Sequence, residues 1–268
     1  MMVILKKFTN MVFPVTCKQC GNPISADAQT AYFCKNCWDS INWFEGPCCT
    51  CCGLPYPAID SSVQSAIGAD GHLCGTCSKT PPAFDKAISA GPYEGTLAEA
   101  IKLFKYKKRI HIGRALTNQV MTSPIVGSVI LADSGDDDFI SIPANSCGRK
   151  SCYIIPVPLH IKRLREREFN QSAIIALAFG ARFGLPVLTD VLIRMRHTRP
   201  QVELGMKERR ENVAGVFTVK NREMIKGKDL ILIDDVYTTG STVNECAKVL
   251  KKNGARMVYV VTIARMVK

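Results

Sequence analysis

LILIDDVYTTGST, Leu230 to Thr242, is the stretch on which the reading of the chain turns. Leu230 to Ile233 form an unbroken apolar run and predict a buried strand. Asp234 and Asp235 follow, then a turn of hydroxyls around one glycine: Thr238, Thr239, Gly240, Ser241 and Thr242. Beyond the turn Val243, Ala247 and Leu250 recur at i, i+4 and i+7, which predicts a helix, and Asn253-Gly254 is a usual helix stop. The unit is therefore strand, tight turn, helix.

A helix start presents outward-pointing N–H groups with partial positive charge, so it favours phosphate. Gly240 lets the backbone approach a ligand, and the neighbouring hydroxyls add donors. The turn holds no lysine and no GxxxxGK(S/T) pattern, so it is not a Walker loop. The carboxylates stand where open α/β sheets take ligands, at the carboxyl end of a strand. Beside a bare phosphate they would repel it, but they suit sugar hydroxyls, reached directly or through Mg2+. A sugar phosphate carrying Mg2+ fits both halves. On these residues the stretch resembles the phosphoribosyl-pyrophosphate (PRPP) loop of type I phosphoribosyltransferases. The resemblance implies that Asp234 and Asp235 are the catalytic acids that take the ribose hydroxyls, and that Thr238, Thr239, Gly240, Ser241 and Thr242 cradle the 5-phosphate. Purine-salvage members carry an acid at the position of Thr238, so the threonine here speaks against a hypoxanthine or guanine acceptor.

The charge balance points the same way. The net charge of the 268 residues is +12. Residues 1–82 carry 5 Lys+Arg and 5 Asp+Glu, and residues 83–268 carry 30 and 18, so the whole excess lies in the second part. That favours a polyanionic ligand or partner there. No run of about 18 apolar residues exists, so no stable membrane insertion is expected. The opening MMVILKKFTNMVFPV is interrupted at Lys6, Lys7 and Asn10, and reads as a short amphipathic helix rather than a signal peptide.

Ten of the 13 cysteines fall within residues 17–77. They form CxxC pairs at Cys17/Cys20, Cys34/Cys37, Cys49/Cys52 and Cys74/Cys77. A CxxC turn puts two thiolates on one side of a knuckle, which suits tetrahedral Zn2+, and two knuckles complete one site. Cys48/Cys51 offers a competing register, but Cys52-Gly53 repeats Cys20-Gly21 and favours Cys49/Cys52. Which knuckles share an ion stays open at this level. Paired CxxC spacing without a secretion signal points to structural zinc in a reducing, cytoplasmic setting. The zero net charge of this segment favours a structural role over nucleic-acid contact. Pro81-Pro82 marks the boundary, giving a zinc module over residues 1–82 and a second domain over 83–268.

Within the second domain, residues 83–93 predict a strand bent at Gly91-Pro92, and Thr96 to Glu99 fit a capping box for a helix over 97–105. Lys102, Lys105, Lys107, Lys108 and Arg109 make its end basic, either as a solvated face or as a phosphate or DNA contact. A second helix is expected from about Ile112 to Met121. Residues 122–151 form a variable insert with an acidic stretch, Asp133–Asp138; Cys147 in it and Cys152 just beyond are not expected to hold metal. Cys246 reads as a packed thiol. YIIPVP predicts a strand, LHIKRLREREFNQS a basic loop, and residues 170–181 a helix stopped by Gly184. By the phosphoribosyltransferase resemblance the basic loop holds pyrophosphate, through His160, Arg163, Arg165, Arg167, Asn170 and Gln171. The Arg-rich residues 194–217, with Gln201 and Arg209, are then the mobile loop that closes over PRPP. His160 and His197 show no partners in the sequence.

The four knuckles, CGLP at Cys52–Pro55, PPAFD at Pro81–Asp85, PVPLH at Pro156–His160, EREFNQ at Glu166–Gln171 and the PRPP loop together resemble the ComF/ComFC family of competence-associated proteins, over nearly the whole chain apart from 122–151. The resemblance implies an α/β, type I phosphoribosyltransferase fold, a mainly parallel sheet flanked by helices, behind a small zinc-binding module of the four-cysteine type. It also implies PRPP with Mg2+ and a place in natural transformation, with single-stranded DNA and other DNA-uptake proteins as partners. Two functions stay open. One is a phosphoribosyltransferase acting on a small nitrogen acceptor. The other is a non-catalytic binder of single-stranded DNA or nucleotide, which the 7% aromatic content disfavours because single-strand platforms use exposed aromatics.

Overall fold

The computed structural model of the chain describes residues 15–25, 28–56, 72–106, 109–123, 126, 152–196, 198 and 206–267. The expected amino-terminal helix falls, apart from Val15, outside them. So do Lys107, Lys108, Cys147, His197 and all of the 122–151 insert except Thr122, Ser123 and Val126.

The cysteine segment carries two single-turn helices, α1 (Lys35–Asp39) and α2 (Gly75–Lys79), each starting directly after a cysteine, Cys34 and Cys74. Its own core is small: Trp38 is fully buried and stacks on Phe33 at 5.8 Å between ring centroids. The rest follows in the order β1 (Lys86–Pro92), α3 (Gly95–Tyr106), α4 (Ile110–Met121), β2 (Cys152–Pro156), α5 (Ile161–Arg167), α6 (Gln171–Phe183), β3 (Leu192–Arg194), α7 (Met206–Val213), β4 (Phe217–Val219), β5 (Asp229–Tyr237), α8 (Ser241–Lys252) and β6 (Met257–Arg265).

Four strands pair in the order β1-β6-β5-β2, all parallel. A parallel sheet needs both faces covered, which is why β5 and β6 read as near-continuous apolar runs. Alternation along β5 sends Ile231 and Ile233 to a core shared with α3, α4 and α6, and Leu230 and Leu232 to one shared with α8. Each such fully buried side chain stabilises the fold by about 1.5–3 kcal/mol. At the amino ends, Asp85 accepts from the Val258 backbone N–H at 2.6 Å and from Lys251, and Asp229 takes a bidentate pair from Arg256. β3 and β4 form a separate antiparallel pair.

Both outer edges of the sheet are covered. The cysteine segment lies along β1: the Ala87 N–H donates to the Cys51 carbonyl at 2.7 Å, and the Phe44 N–H to the Ala90 carbonyl at 2.8 Å. Two glycines allow this approach, since a Cβ at Gly53 would collide with the Ala87 carbonyl and one at Gly91 with the Asn42 carbonyl. On the far edge, Ile154 of β2 exchanges hydrogen bonds with the segment 186–188.

Several elements differ from the sequence expectation. LHIKRLREREFNQS is not a loop: Ile161–Arg167 is a helix capped by His160, whose Nδ1 accepts from the Lys162 N–H at 3.2 Å, and the run IKRLRER is made of helix formers. Nor is 194–217 a continuous loop. It is entered from β3 and left through α7 into β4, and Val213, Val216 and Phe217 are buried. The capping box at Thr96–Glu99 is not used: α3 starts at Gly95, and Glu99 instead accepts from Lys102 at 2.7 Å. β5 runs through the acid pair to Tyr237 instead of stopping at Ile233, because β6 continues to pair with it as far as Arg265.

Gly53 has a left-handed backbone, φ 67°, as well as a blocked Cβ direction. Gly53→Ala is expected to lose about 1–3 kcal/mol from backbone conformation alone, and more from the clash. Chemical denaturation would show it as a lower midpoint.

Candidate functional site

Asp234 and Asp235 lie in the carboxyl-terminal part of β5, with Asp234 in register with Thr262 of β6. Consecutive strand residues diverge, and each carboxylate meets a different element. Asp235 meets Lys105, at the end of α3, with Nζ 2.9 Å from Oδ2 and the two side chains only 19% (Lys105) and 11% (Asp235) exposed. Burial works against the ammonium, but the carboxylate opposite outweighs it and holds Lys105 above its ordinary range. Asp234 accepts from the Ser172 hydroxyl at 3.0 Å and from the Asp235 N–H at 2.9 Å. Burial, then the charge of Asp235, push its carboxyl up to about 7, with Lys105 pulling the other way. One edge of Asp234 stays accessible while Asp235 is buried.

The turn that follows is built for backbone donors. Gly240 has φ 74° and caps α8 without a side chain, so the first N–H groups of the helix are turned toward the end of the sheet. Thr239 and Ser241 share a hydroxyl hydrogen bond at 2.8 Å, and Ser241 is buried while Thr238, Thr239 and Thr242 are part-exposed. Acid pair and turn are thus at one end of the sheet, next to the amino terminus of α6 and the carboxyl terminus of α3.

The other expected contacts separate into two groups. Asn170 caps α6 by accepting from the Ser172 N–H at 3.1 Å, and its amide donates to the Val157 carbonyl at 3.0 Å. Gln171 is buried, accepts from Arg167 at 3.2 Å and donates to the Lys105 carbonyl at 3.4 Å. These residues bind the protein itself, and in doing so they set Ser172 and Lys105 against the acids. His160 is a helix cap. Arg163 is part-exposed and Arg165 exposed. Gln201 lies outside the described residues, and so does the side chain of Arg209 in α7. Arg194, beside the site, donates to the Thr198 hydroxyl, and burial followed by the nearby Arg163 charge lowers its basicity.

Ser172 and Arg194 carry no signal in the sequence that singles them out, and Lys105 is there only one of a basic run. That run divides: Lys102 pairs with Glu99, Lys105 turns inward, and the Arg109 guanidinium lies 4.3 Å over the Tyr32 ring. The available signal for Lys105 is its place on the apolar side of α3, four residues after Ile101.

The cysteines assemble in chain order. Cys17, Cys20, Cys34 and Cys37 form one group and Cys49, Cys52, Cys74 and Cys77 another, each with all sulfurs within 4.8 Å of one another. This resolves both the pairing and the choice of Cys49/Cys52 over Cys48/Cys51. The donor set fits zinc: four sulfurs, with backbone N–H groups aimed at them, Cys74 donating to the Cys49 sulfur at 3.3 Å and Cys52 at 3.5 Å. Burial raises the Cys49 thiol, but the N–H groups of Cys52, Cys74 and Cys51 outweigh it and bring it down to about 7. Cys17 is brought to about 6 by the same opposition of burial and backbone donors. Cys246 is fully buried, and burial pushes its thiol up. No helix among the described residues is long and apolar enough to cross a membrane.

Comparison with known families and proteins agrees with this division. Residues 8–78 match the double zinc ribbon domain and residues 160–267 the phosphoribosyl transferase domain. The chain is 29% identical to competence protein F of Haemophilus influenzae over 87% of its own length and 90% of that protein. It is 28% identical to DNA utilization protein YhgH of Salmonella typhi, over 81% and 83%. It is 25% identical to competence protein ComFC of Bacillus subtilis, over 82% and 78%.

Elemental analysis of the purified chain is expected to find one zinc per tetrad, and Cys77→Ser to lose the ion of the second tetrad alone. Lys105→Met leaves Asp235 without its cation, and is expected to lower unfolding stability by about 3 kcal/mol, the scale of breaking a buried ion pair. Adding Asp235→Asn to that variant should recover part of the loss.

Proposed function

The chain belongs to the ComF/ComFC family, and from that premise we propose that it binds PRPP with Mg2+ and transfers the phosphoribosyl group to a nitrogen acceptor, releasing pyrophosphate, in support of DNA uptake. The observation that carries this reading is the acid pair followed, a short turn later, by a glycine-capped helix start at the same end of the sheet. In this reading Asp234 and Asp235 accept the ribose 2- and 3-hydroxyls, and the N–H and hydroxyl groups of residues 238–242 hold the 5-phosphate. Mg2+, which Asp234 and Asp235 would reach through the ribose hydroxyls, would offset negative charge on the leaving pyrophosphate. Arg163 and Arg165 on α5 add positive charge near the exit of β2, and α7 with Arg209 belongs to the segment that closes over the site and excludes water from the cationic ribose centre. Lys105 keeps the acids neutralised before the ligand arrives.

The names of the relatives bring the process to this chain: competence in two of them and DNA utilization in the third. Single-stranded DNA and other uptake proteins are the partners that follow. A nucleotide-binding protein without turnover would use the same acids and turn, and pyrophosphate release separates the two.

Calorimetry with PRPP and Mg2+ tests the site. Saturable binding is expected for the wild type, and its loss for Asp234→Ala/Asp235→Ala. No binding by folded, zinc-loaded wild type sinks the reading. The pH dependence has a fixed sign. Asp234 titrates at about 7 instead of its ordinary 3.8, so it is neutral below that pH and loses its charge as an acceptor. Ligand affinity is expected to fall as the pH drops from about 8 to about 6. Fold stability runs the other way: this group's contribution is complete below 3.8 and is lost as pH rises through about 7.

A further inference from the structure

Arg265 ends β6 and is 6% exposed. A buried guanidinium is costly unless an anion faces it. Among the described residues no carboxylate forms an ion pair with Arg265; what faces it is Cys52. Nη1 donates to the Cys52 carbonyl and Nη2 to the Cys52 sulfur at 3.5 Å, while the buried Nε has no hydrogen-bond partner among the described residues. Cys52 belongs to the second cysteine tetrad. A divalent ion held by four thiolates keeps a net negative charge, so the metal-loaded tetrad is the anion that a buried arginine needs.

The other face of the guanidinium lies 4.3 Å over the Tyr237 ring. Arg265 and Tyr237 are register partners on β6 and β5, so the sheet itself fixes this stack. The Tyr237 hydroxyl in turn fills the space beside Gly240, where any Cβ would collide with it. Gly240 starts α8 and has the left-handed φ of 74°. A line of direct contact therefore runs from thiolate to guanidinium to phenol ring to the glycine of the turn. Its members come from three segments far apart in the chain.

We propose that Arg265 is the counter-ion of the zinc–thiolate tetrad Cys49/Cys52/Cys74/Cys77 and, through Tyr237, the positioning residue that holds the Gly240 turn, so that metal in the second ribbon sets the order of the anion-binding end of the sheet. Among the described residues no arginine hydrogen-bonds a sulfur of the first tetrad, whose Cys17 lies in the same apolar cluster as Trp38. With metal gone, nothing holds the four sulfurs together as one fixed anion, and Arg265 loses the ordered group that faces it. The Tyr237 ring then loses its cation and keeps only the edge contact with Phe84 at 6.4 Å between centroids, and the wall that shapes the turn is less fixed. This coupling does not depend on which anion the turn takes.

The test uses the full-length, zinc-loaded chain with Arg265→Gln, Arg265→Lys and Tyr237→Leu. Two readouts are followed: zinc release into a chelator, and amide hydrogen exchange of a peptide covering residues 238–244, with one from α6 as control. Arg265→Gln is expected to release one of its ions about 10–100-fold faster, the usual effect of losing a partner of a metal ligand, while the other ion keeps its wild-type rate. Exchange should rise in 238–244 and stay unchanged in α6. Arg265→Lys keeps the charge without the planar fork, so it should restore zinc retention in part and the turn less. Tyr237→Leu should keep both ions and still loosen the turn. Wild-type release of both ions from Arg265→Gln overturns the counter-ion assignment. Loss of one ion with unchanged exchange at 238–244 overturns the coupling, and so does a rise that includes α6.

Discussion

A carboxylate on an inner strand of a parallel sheet has to find either a cation or a proton, and the carboxyl-terminal part of β5 carries two of them in succession. Asp235 takes the cation, Lys105, and Asp234 moves toward the proton, titrating at about 7. Most of the surrounding architecture follows from keeping that arrangement in place. Lys105 sits at the last turn of α3, its carbonyl is tied to Gln171, and Gln171 is the first residue of α6. The next residue, Ser172, donates to Asp234. The α6 amino terminus thus touches both acids, one directly and one through α3. Asn170, as cap, anchors the same terminus to the exit of β2. Within the polar string EREFNQS, Asn170, Gln171 and Ser172 form this internal brace.

The cysteine segment is part of the same body. Its hydrogen bonds to β1 and the glycine approaches at Gly53 and Gly91 make it a layer on the sheet, and Arg265 reaches into it from the carboxyl end of β6. A small metal ribbon with few apolar residues of its own gains stability from the ions and from the sheet it covers. The sheet gains a covered edge.

Much of this could be read from the residues alone. The β5–turn–α8 unit was legible because strand, acids, glycine and helix occur in the one order their chemistry needs, and the cysteine knuckles because CxxC spacing has few other uses. The pairing of the knuckles was not, since four equivalent pairs carry no label of their partners; that depends on the path between them. Lys105 looked like any other lysine in a basic run, and only the packing of α3 turns it inward. Arg265 was hidden for the opposite reason. It is one charged residue closing an apolar strand, and its counter-charge lies 213 residues away in the chain. The helix at Ile161–Arg167 was missed because its charges suggested a ligand loop, although most of its residues favour a helix on propensity.

The covering of β1 also bears on how copies of the chain meet. An uncovered edge strand offers a row of N–H and C=O groups to whatever extended segment reaches it first, and in a concentrated solution that is another copy of itself. Here the groups at Ala87 and Ala90 are already engaged by Cys51 and Phe44. A fragment beginning at residue 83 would open that row again. The ribbon is then an insulator: its fixed, metal-held backbone occupies a side of the sheet on which neighbouring molecules would otherwise polymerise.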